Sequence, residues 1–247
     1  MLGWYEKNYW RTGFKSRLYD WLTPESYFES MRQTVALLPD KVGLKIWDAG
    51  CGSGMLLEFL KDNFNHGMIY YGSDLLSAGL KQVRLRVREF CFSERIFCFQ
   101  NDMTEASPFK ENSLDVVIAH FSIYTIPDAE KRHQAIKNMY FALKPEGLLV
   151  AICPSKKYDA GEIIKESCKL IRLKRGFFAS MIKRIFFYPL TKMLGLNFIQ
   201  KQLQSDKWMA YSMEELSDEL DLAGFKRGPV KTVYAGGAYL MCGFKNY

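Results

Sequence analysis

The sequence predicts an α/β fold with a doubly wound, mostly parallel sheet, and three observations carry that expectation. Short β-favouring runs alternate with segments whose apolar residues recur every three to four positions, as in Leu76, Leu80, Val83 and Val87. The stretch 114–120, Leu-Asp-Val-Val-Ile-Ala-His, is apolar along most of its length, as a central parallel strand buried on both faces should be. Between the first strand and the first helix stands Asp48-Ala-Gly-Cys-Gly-Ser-Gly54. Such a turn frees backbone N–H groups toward a ligand at a helix N-terminus.

Taken in order, residues 1–40 are rich in aromatics, with a helix predicted from Thr23-Pro24-Glu25 to about Leu38. The glycine turn leads into a helix over 55–63 and a strand over 68–73 that closes on Asp74. An amphipathic helix over 76–90 and a strand over 95–100 follow, then Asn101-Asp102-Met103. The strand 114–120 opens into the loop His120-Phe-Ser-Ile-Tyr-Thr-Ile-Pro127. Asp128 caps a helix over 129–143, and a fifth strand is expected over 146–153. A basic, aromatic insertion runs from 154 to 207, where Gly176, Pro189 and Gly195 should divide it into two or three short helices. Ser212-Met-Glu-Glu215 is a capping box, with a helix to Ala223 and a stop at Gly224. Two strands, near 227–235 and 238–244, end the chain.

Composition limits the function. At 247 residues and 48% apolar the chain has material for a large core and is not a disordered protein. The six cysteines form no CxxC pair and read as reduced thiols in a cytosolic protein. The three histidines, His66, His120 and His133, show no ligand spacing, so no metal is expected. No signal peptide and no membrane-spanning helix is expected. The net charge of +7 is local: residues 163–205 hold nine bases and one acid, Glu166, which leaves the rest of the chain near neutral.

The turn binds a nucleoside cofactor if Asp74 marks the tip of the second strand, since an acid there suits ribose hydroxyls. The nicotinamide fingerprint requires Gly or Ala where Met55 stands, and no Gly-Lys-Ser/Thr triplet follows for a phosphate loop. Asp48-Ala-Gly-Cys-Gly-Ser-Gly54 resembles instead the first motif of class I S-adenosylmethionine-dependent methyltransferases, and Lys144-Pro-Glu-Gly147 resembles the family's Lys-Pro-Gly-Gly, with Glu146 in place of a glycine. The resemblance implies a Rossmann-like seven-stranded sheet, mostly parallel with an antiparallel C-terminal hairpin strand, plus a helical lid insertion. It also implies S-adenosylmethionine as cofactor. Asp48 would set the turn and meet the cofactor's amino group, Gly50 and Gly52 would admit its backbone, and Asp74 would hold the ribose. Asp102 would accept from the adenine 6-amino group beside the Met103 N–H. Cys51, Leu75 and His120 complete the cofactor set.

Methyl transfer from a sulfonium needs positioning first and a base only if the acceptor must lose a proton. His120 is the catalytic candidate, its ordinary pKa suiting a base, with cofactor packing as the alternative. Tyr5, Tyr9, Tyr19 and Tyr124 are candidates for the acceptor side. The chain lacks the Asn/Asp-Pro-Pro-aromatic of adenine-N6 enzymes, so nucleic acid is disfavoured, and a small hydrophobic, aromatic or lipid-like acceptor is expected. The N-terminal region around Tyr19-Asp20 loosely resembles quinone and sterol methyltransferases. Alternatives are a basic RNA-binding methyltransferase and a catalytically silent cofactor-binding partner. The chain reads as one domain over 1–247: an aromatic arm (1–40), a cofactor core (41–153), a lid (154–207) and a closing helix with hairpin (208–247). A cytoplasmic protein is expected, with the 163–205 segment acting as a lid or as a peripheral membrane contact.

Overall fold

The computed structural model describes residues 21–88 and 90–246. Tyr5, Tyr9 and Tyr19 lie outside the described residues. The strands are β1 (Lys45–Ala49), β2 (Ile69–Asp74), β3 (Ile96–Gln100), β4 (Leu114–His120), β5 (Leu143–Pro154), β6 (Phe225–Val233) and β7 (Ala238–Lys245). They form one seven-stranded sheet in the order β3-β2-β1-β4-β5-β7-β6. β1 pairs in parallel with β2 and β4, and β7 is antiparallel to both β5 and β6. Strand order reverses beside β1, so the carboxyl ends of β1 and β4 diverge and leave a crevice between them. All seven residues of β4 are buried. Trp47 is fully buried and satisfies its indole N–H on Ser73 Oγ at 2.8 Å, which locks β1 to β2 above the glycine turn.

The helices are α1 (Glu25–Val35), α2 (Lys61–Asn65), α3 (Ser77–Val87), α4 (Ala129–Ala142), α5 (Ala160–Arg175), α6 (Phe177–Ile182), α7 (Tyr188–Thr191), α8 (Asn197–Gln204) and α9 (Met213–Leu222). Asp128 and Asp159 cap α4 and α5 through their side chains, and the Ser212–Glu215 capping box starts α9. The single helix expected over 55–63 is two pieces. A 3-10 turn over Met55–Phe59 meets α2 at Leu60, whose φ of −97° and ψ of 5° break the α ladder.

The lid also differs from its expected form. Gly176, at φ 87°, does end α5. From 177 to 204 the chain stays helical, with π-helical turns over Lys183–Phe187 and Lys192–Leu196 where breaks at Pro189 and Gly195 were expected. A widened turn just before Pro189 absorbs the missing N–H donor without stopping the helix. The fifth strand begins earlier than expected, pairing Leu114 with Leu143 before a bulge resets the register at Val116 and Leu148. Glu146 lies in that bulge at φ 62°, a left-handed conformation that a glycine adopts freely.

The lid and the N-terminal helix are fastened together. Ser26 and Ser167 hydroxyls meet at 2.9 Å, and Lys174 reaches Glu29 at 2.6 Å and Glu25 at 3.3 Å. On the far side, the buried Arg132 of α4 bonds Glu219 of α9 at 2.8 Å, and Tyr211 donates to the same carboxylate. Among the described residues no helix is long and apolar enough to cross a membrane, and no cluster of His, Cys, Asp and Glu could hold a metal ion.

Candidate functional site

A cavity of about 490 Å³ opens over the carboxyl ends of β1, β2 and β4, a volume suited to a cofactor together with a small second molecule. Its floor is the glycine turn. Gly50 N and Cys51 N both donate to the Ser73 carbonyl, at 2.8 and 2.9 Å, and Gly54 N closes on the Cys51 carbonyl at 2.9 Å. Gly50 takes φ 86°, and a Cβ built there would stand 2.4 Å from the Ser122 Cβ. Only glycine permits both that dihedral and that approach. On the other side, a Cβ on Gly79 would stand 2.7 Å from the Gly52 carbonyl oxygen, so α3 presses its own glycine against the turn.

Three acids surround this floor, each with a different set of hydrogen-bond partners. Asp74 accepts from Gly52 N through one carboxylate oxygen and from Leu76 N through the other, each at 2.8 Å. Burial raises its pKa, and the two amides pull it back. Asp74 therefore fastens the glycine turn, the part expected of Asp48. Asp48 instead accepts the Tyr70 hydroxyl at 2.6 Å. Burial pushes the Asp48 carboxyl up to about 7, the tyrosine hydrogen bond opposes that shift, and the Asp74 charge adds to it. Asp102 accepts both the N–H and the hydroxyl of Thr104 on one oxygen, at 2.9 and 2.8 Å. Its second oxygen has no partner among the described residues. Met103 and the exposed Leu75 complete this wall, and burial holds the Cys51 thiol well above its usual pKa.

The opposite half of the cavity is aromatic. Tyr27 of α1 stacks on Phe121 with centroids 5.4 Å apart, and Phe121 meets Tyr234 at 5.2 Å. Tyr124 stands edge-on to Trp208 at 5.4 Å. Phe121 and Tyr234 both have left-handed backbones, at φ 54° and 57°. Bulky residues in that region are strained, and here the strain sits where two rings line the same cavity.

His120 ends β4 at the border of the two halves. Its Nε2 lies 3.0 Å from Ser30 Oγ, which in turn lies 2.8 Å from the Tyr27 carbonyl oxygen. A carbonyl only accepts, so both bonds form together when the serine donates to Tyr27 and the imidazole donates from Nε2. That leaves the lone pair on Nδ1, which is buried without a partner, on a residue that lines the cavity. Burial holds this imidazole at about 3, far below the ordinary value that suits a general base. Ser122 Oγ, beside Gly50, is a second buried polar atom with no partner.

The structure thus brings Asp48, Gly50, Cys51, Gly52, Asp74, Leu75, Asp102, Met103, His120 and Tyr124 to one cavity. Tyr27, Ser122, Ile199, Trp208 and Tyr234 line it as well and were not singled out by the sequence. Aromatic density in residues 1–40 signals the stretch that holds Tyr27. Trp208 and Tyr234 carry no sequence signal, because they come from the end of the lid and the corner of the hairpin.

Residues 47–151 match the family described as a methyltransferase domain. Over 117 residues the chain is 34% identical to a tRNA N(3)-methylcytidine methyltransferase of Schizosaccharomyces pombe, covering 46% of this chain and 45% of that one. Over 126 residues it is 31% identical to the ubiquinone/menaquinone biosynthesis C-methyltransferase of Pseudoalteromonas translucida, covering 51% and 48%. The chain spans about half the length of the curated relatives it matches. Among solved structures, the fold is similar to a chain in the complex between the Haloferax volcanii Trm112 methyltransferase activator and a methyltransferase. There the TM-score is 0.62 at 15% identity, with 98% of this chain and 96% of that chain covered. An Aquifex aeolicus S-adenosylmethionine-dependent methyltransferase gives a TM-score of 0.61 at 14% identity, covering 94% and 98%.

Residues 47–151 thus match a methyltransferase domain, and the chain has the fold of the S-adenosylmethionine-dependent methyltransferase to which it is similar. S-adenosylmethionine is the cofactor that domain and fold imply, and the residues fit it. Gly50 keeps open a space that any Cβ would close, and three carboxylates ring the turn. The names of the two relatives point to different acceptors, a tRNA cytidine and a quinone precursor pathway, so the acceptor is not determined by the match.

Proposed function

We propose that this chain methylates a small hydrophobic, aromatic or lipid-like acceptor. The observation that carries this reading is the aromatic basket of Tyr27, Phe121, Tyr124, Trp208 and Tyr234 sharing one cavity with the glycine turn. Flat rings with centroids 5 to 6 Å apart offer stacking faces and no charged side chain, which suits an apolar ring system better than a charged one. The similarity to a quinone-pathway C-methyltransferase supports the same class.

S-adenosylmethionine, when bound, supplies an electrophilic sulfonium methyl. The residues of this chain bind, orient and exclude water. Asp48 meets the amino group of the cofactor, Asp74 the ribose hydroxyls, and Asp102 with the Met103 N–H the adenine edge. Gly50, Cys51, Gly52 and Leu75 shape the floor. His120, neutral and with its lone pair on Nδ1, accepts a hydrogen bond from an O–H or N–H on the acceptor. With its pKa held near 3 it orients that group and takes a proton only from an acceptor that is already acidic. Tyr124 lies on the acceptor side, and we extend the same role to Tyr5, Tyr9 and Tyr19. We read 1–247 as one domain whose 154–207 segment is the lid, and place it in the reducing cytoplasm on the strength of six free thiols.

A calorimetric titration with S-adenosylmethionine and its demethylated product, followed by a labelled-methyl screen of hydrophobic and polar acceptors, tests this reading. Label confined to polar acceptors would sink it. The second reading, an RNA methyltransferase, is favoured by the tRNA-modifying relative and by the basic 163–205 segment. It requires label in RNA and an affinity that falls steeply with salt. Tight cofactor binding with no turnover on any acceptor would point to a silent partner protein.

A further inference from the structure

The helical segment 177–194, with the last turn of α5 before it, is turned inside out. Its inward side is polar and hydrogen-bonded: Ser180 Oγ donates to the Cys168 carbonyl at 2.8 Å, Thr191 Oγ1 to the Leu22 carbonyl at 2.6 Å, and Lys183 Nζ to the Trp21 carbonyl. Its outward side is apolar. Leu173, Phe178 and Phe186 are 76%, 75% and 70% exposed, and Phe177, Met181, Ile182, Ile185, Leu190, Met193 and Leu194 are exposed with them. After the break at Gly176, the spacing 177, 178, 181, 182, 185, 186 is that of a single amphipathic face, which on a helix packed into a water-soluble protein belongs against the core. Arg172, Arg175, Arg184 and Lys192 are exposed in the same run. Arg175, Arg184 and Lys192 have no carboxylate partner among the described residues.

We propose that this face docks on an anionic lipid bilayer. Apolar side chains enter the acyl boundary while the bases meet lipid headgroups, the arrangement of an interfacial helix. A second copy of the chain is the poorer occupant, since a two-fold contact would set these unpaired bases against each other. RNA would answer the bases and leave the exposed Leu, Phe and Ile side chains without partners. A second, smaller cavity of about 90 Å³ lies directly behind this face, between Leu22, Pro24, Leu190 and Leu194, and shares Tyr27, Ile199 and Tyr234 with the main cavity. Docking would therefore put an apolar cavity that adjoins the aromatic basket at the bilayer surface. That consequence rests on the hydrophobic acceptor proposed above, whereas docking itself does not.

The test is co-sedimentation of the full chain with phosphatidylcholine vesicles, made with and without phosphatidylglycerol. Phosphatidylglycerol should raise binding by on the order of tenfold or more, and salt should weaken it. F178D/F186D should abolish binding, and R175E/R184E should reduce it to the level of phosphatidylcholine alone. Both variants should keep the thermal midpoint and cofactor affinity of the parent, because these side chains are exposed. Any one of several results overturns the proposal: no sedimentation, sedimentation indifferent to phosphatidylglycerol, or unchanged binding by F178D/F186D. So does an ultracentrifuge dimer that F178D/F186D dissolves, or tRNA binding that R175E/R184E removes without vesicle binding in the parent. Vesicle binding without methylation of a hydrophobic acceptor would spare docking and sink the proposed acceptor. Methylation of such an acceptor in detergent, without vesicle binding, would do the reverse.

Discussion

The floor of the cavity and its roof are built on opposite plans. The floor comes from the ends of three neighbouring strands, held by main-chain bonds such as Gly50 N and Cys51 N on the Ser73 carbonyl. The roof gathers Tyr27, Tyr124, Trp208 and Tyr234 from four remote stretches and holds them by ring contacts, with Tyr234 on a strained backbone. A floor of fixed amides suits a cofactor that never changes. A roof of side chains from separate helices and turns can be respecified one ring at a time.

If the floor is as rigid as this contrast requires, adding one methyl group there should have the largest effect. Gly50→Ala must relieve a 2.4 Å approach to Ser122 Cβ at a φ of 86°. Strain and overpacking of this kind cost on the order of 3 kcal/mol together, so cofactor affinity should fall more than a hundredfold by calorimetry. Gly176→Ala is the matched control, at φ 87° with nothing within 4 Å of the new Cβ. It should lower thermal stability and leave cofactor affinity alone. Equal cofactor losses in the two variants would dissolve the distinction between floor and lid.

Asp74→Ala comes next. It removes the acceptor for Gly52 N and Leu76 N along with the proposed ribose contact. The expected loss in cofactor binding is about 1–3 kcal/mol, as for hydrogen-bonded groups left unpaired. An unchanged titration would take Asp74 out of the site.

The roof should answer differently. Tyr234→Ala or Trp208→Ala removes a ring from the basket at a cost of about 1–2 kcal/mol in acceptor binding, so KM for the acceptor should rise roughly tenfold. Cofactor affinity should stay within about twofold, since neither ring is assigned a cofactor contact. A loss in cofactor binding as large as that in KM would show that roof and floor are one unit.

The same contrast explains what could be read from the chain. Every floor residue sits within a strand end and the turn after it, so hydrophobic runs, glycine spacing and the family resemblance of the motif marked it. The limits of β4 and the caps at Asp128 and Ser212 were legible for the same local reason. Trp208 and Tyr234 were not, because their place depends on how the lid and the hairpin corner fold back over α1. Helicity across Pro189 and Gly195 was hidden because those residues ordinarily stop helices, while tertiary bonds from Lys183 to Trp21 and from Thr191 to Leu22 anchor the run. Chemistry could also mislead: Asp48 matched the motif, yet its nearest partner proved to be Tyr70 and the clamp on the turn proved to be Asp74.

That reassignment yields the smallest and sharpest prediction. Burial raises the Asp48 carboxyl from its ordinary 3.8 to about 7, so the folded chain holds a proton there that the unfolded chain has released. By linkage, this group favours the folded state at low pH and that advantage fades as pH rises from about 4 to 7. Cofactor binding should run the other way, because the proposed amino-group contact needs the ionised carboxylate. Affinity should therefore fall as pH drops through about 7, by at most about tenfold per pH unit. Tyr70→Phe deletes the hydrogen bond that opposes the shift, and should move the midpoint of that dependence upward. Asp48→Asn should flatten it. A titration midpoint indifferent to both substitutions would assign the dependence to another group and leave Asp48 a structural acid of the core.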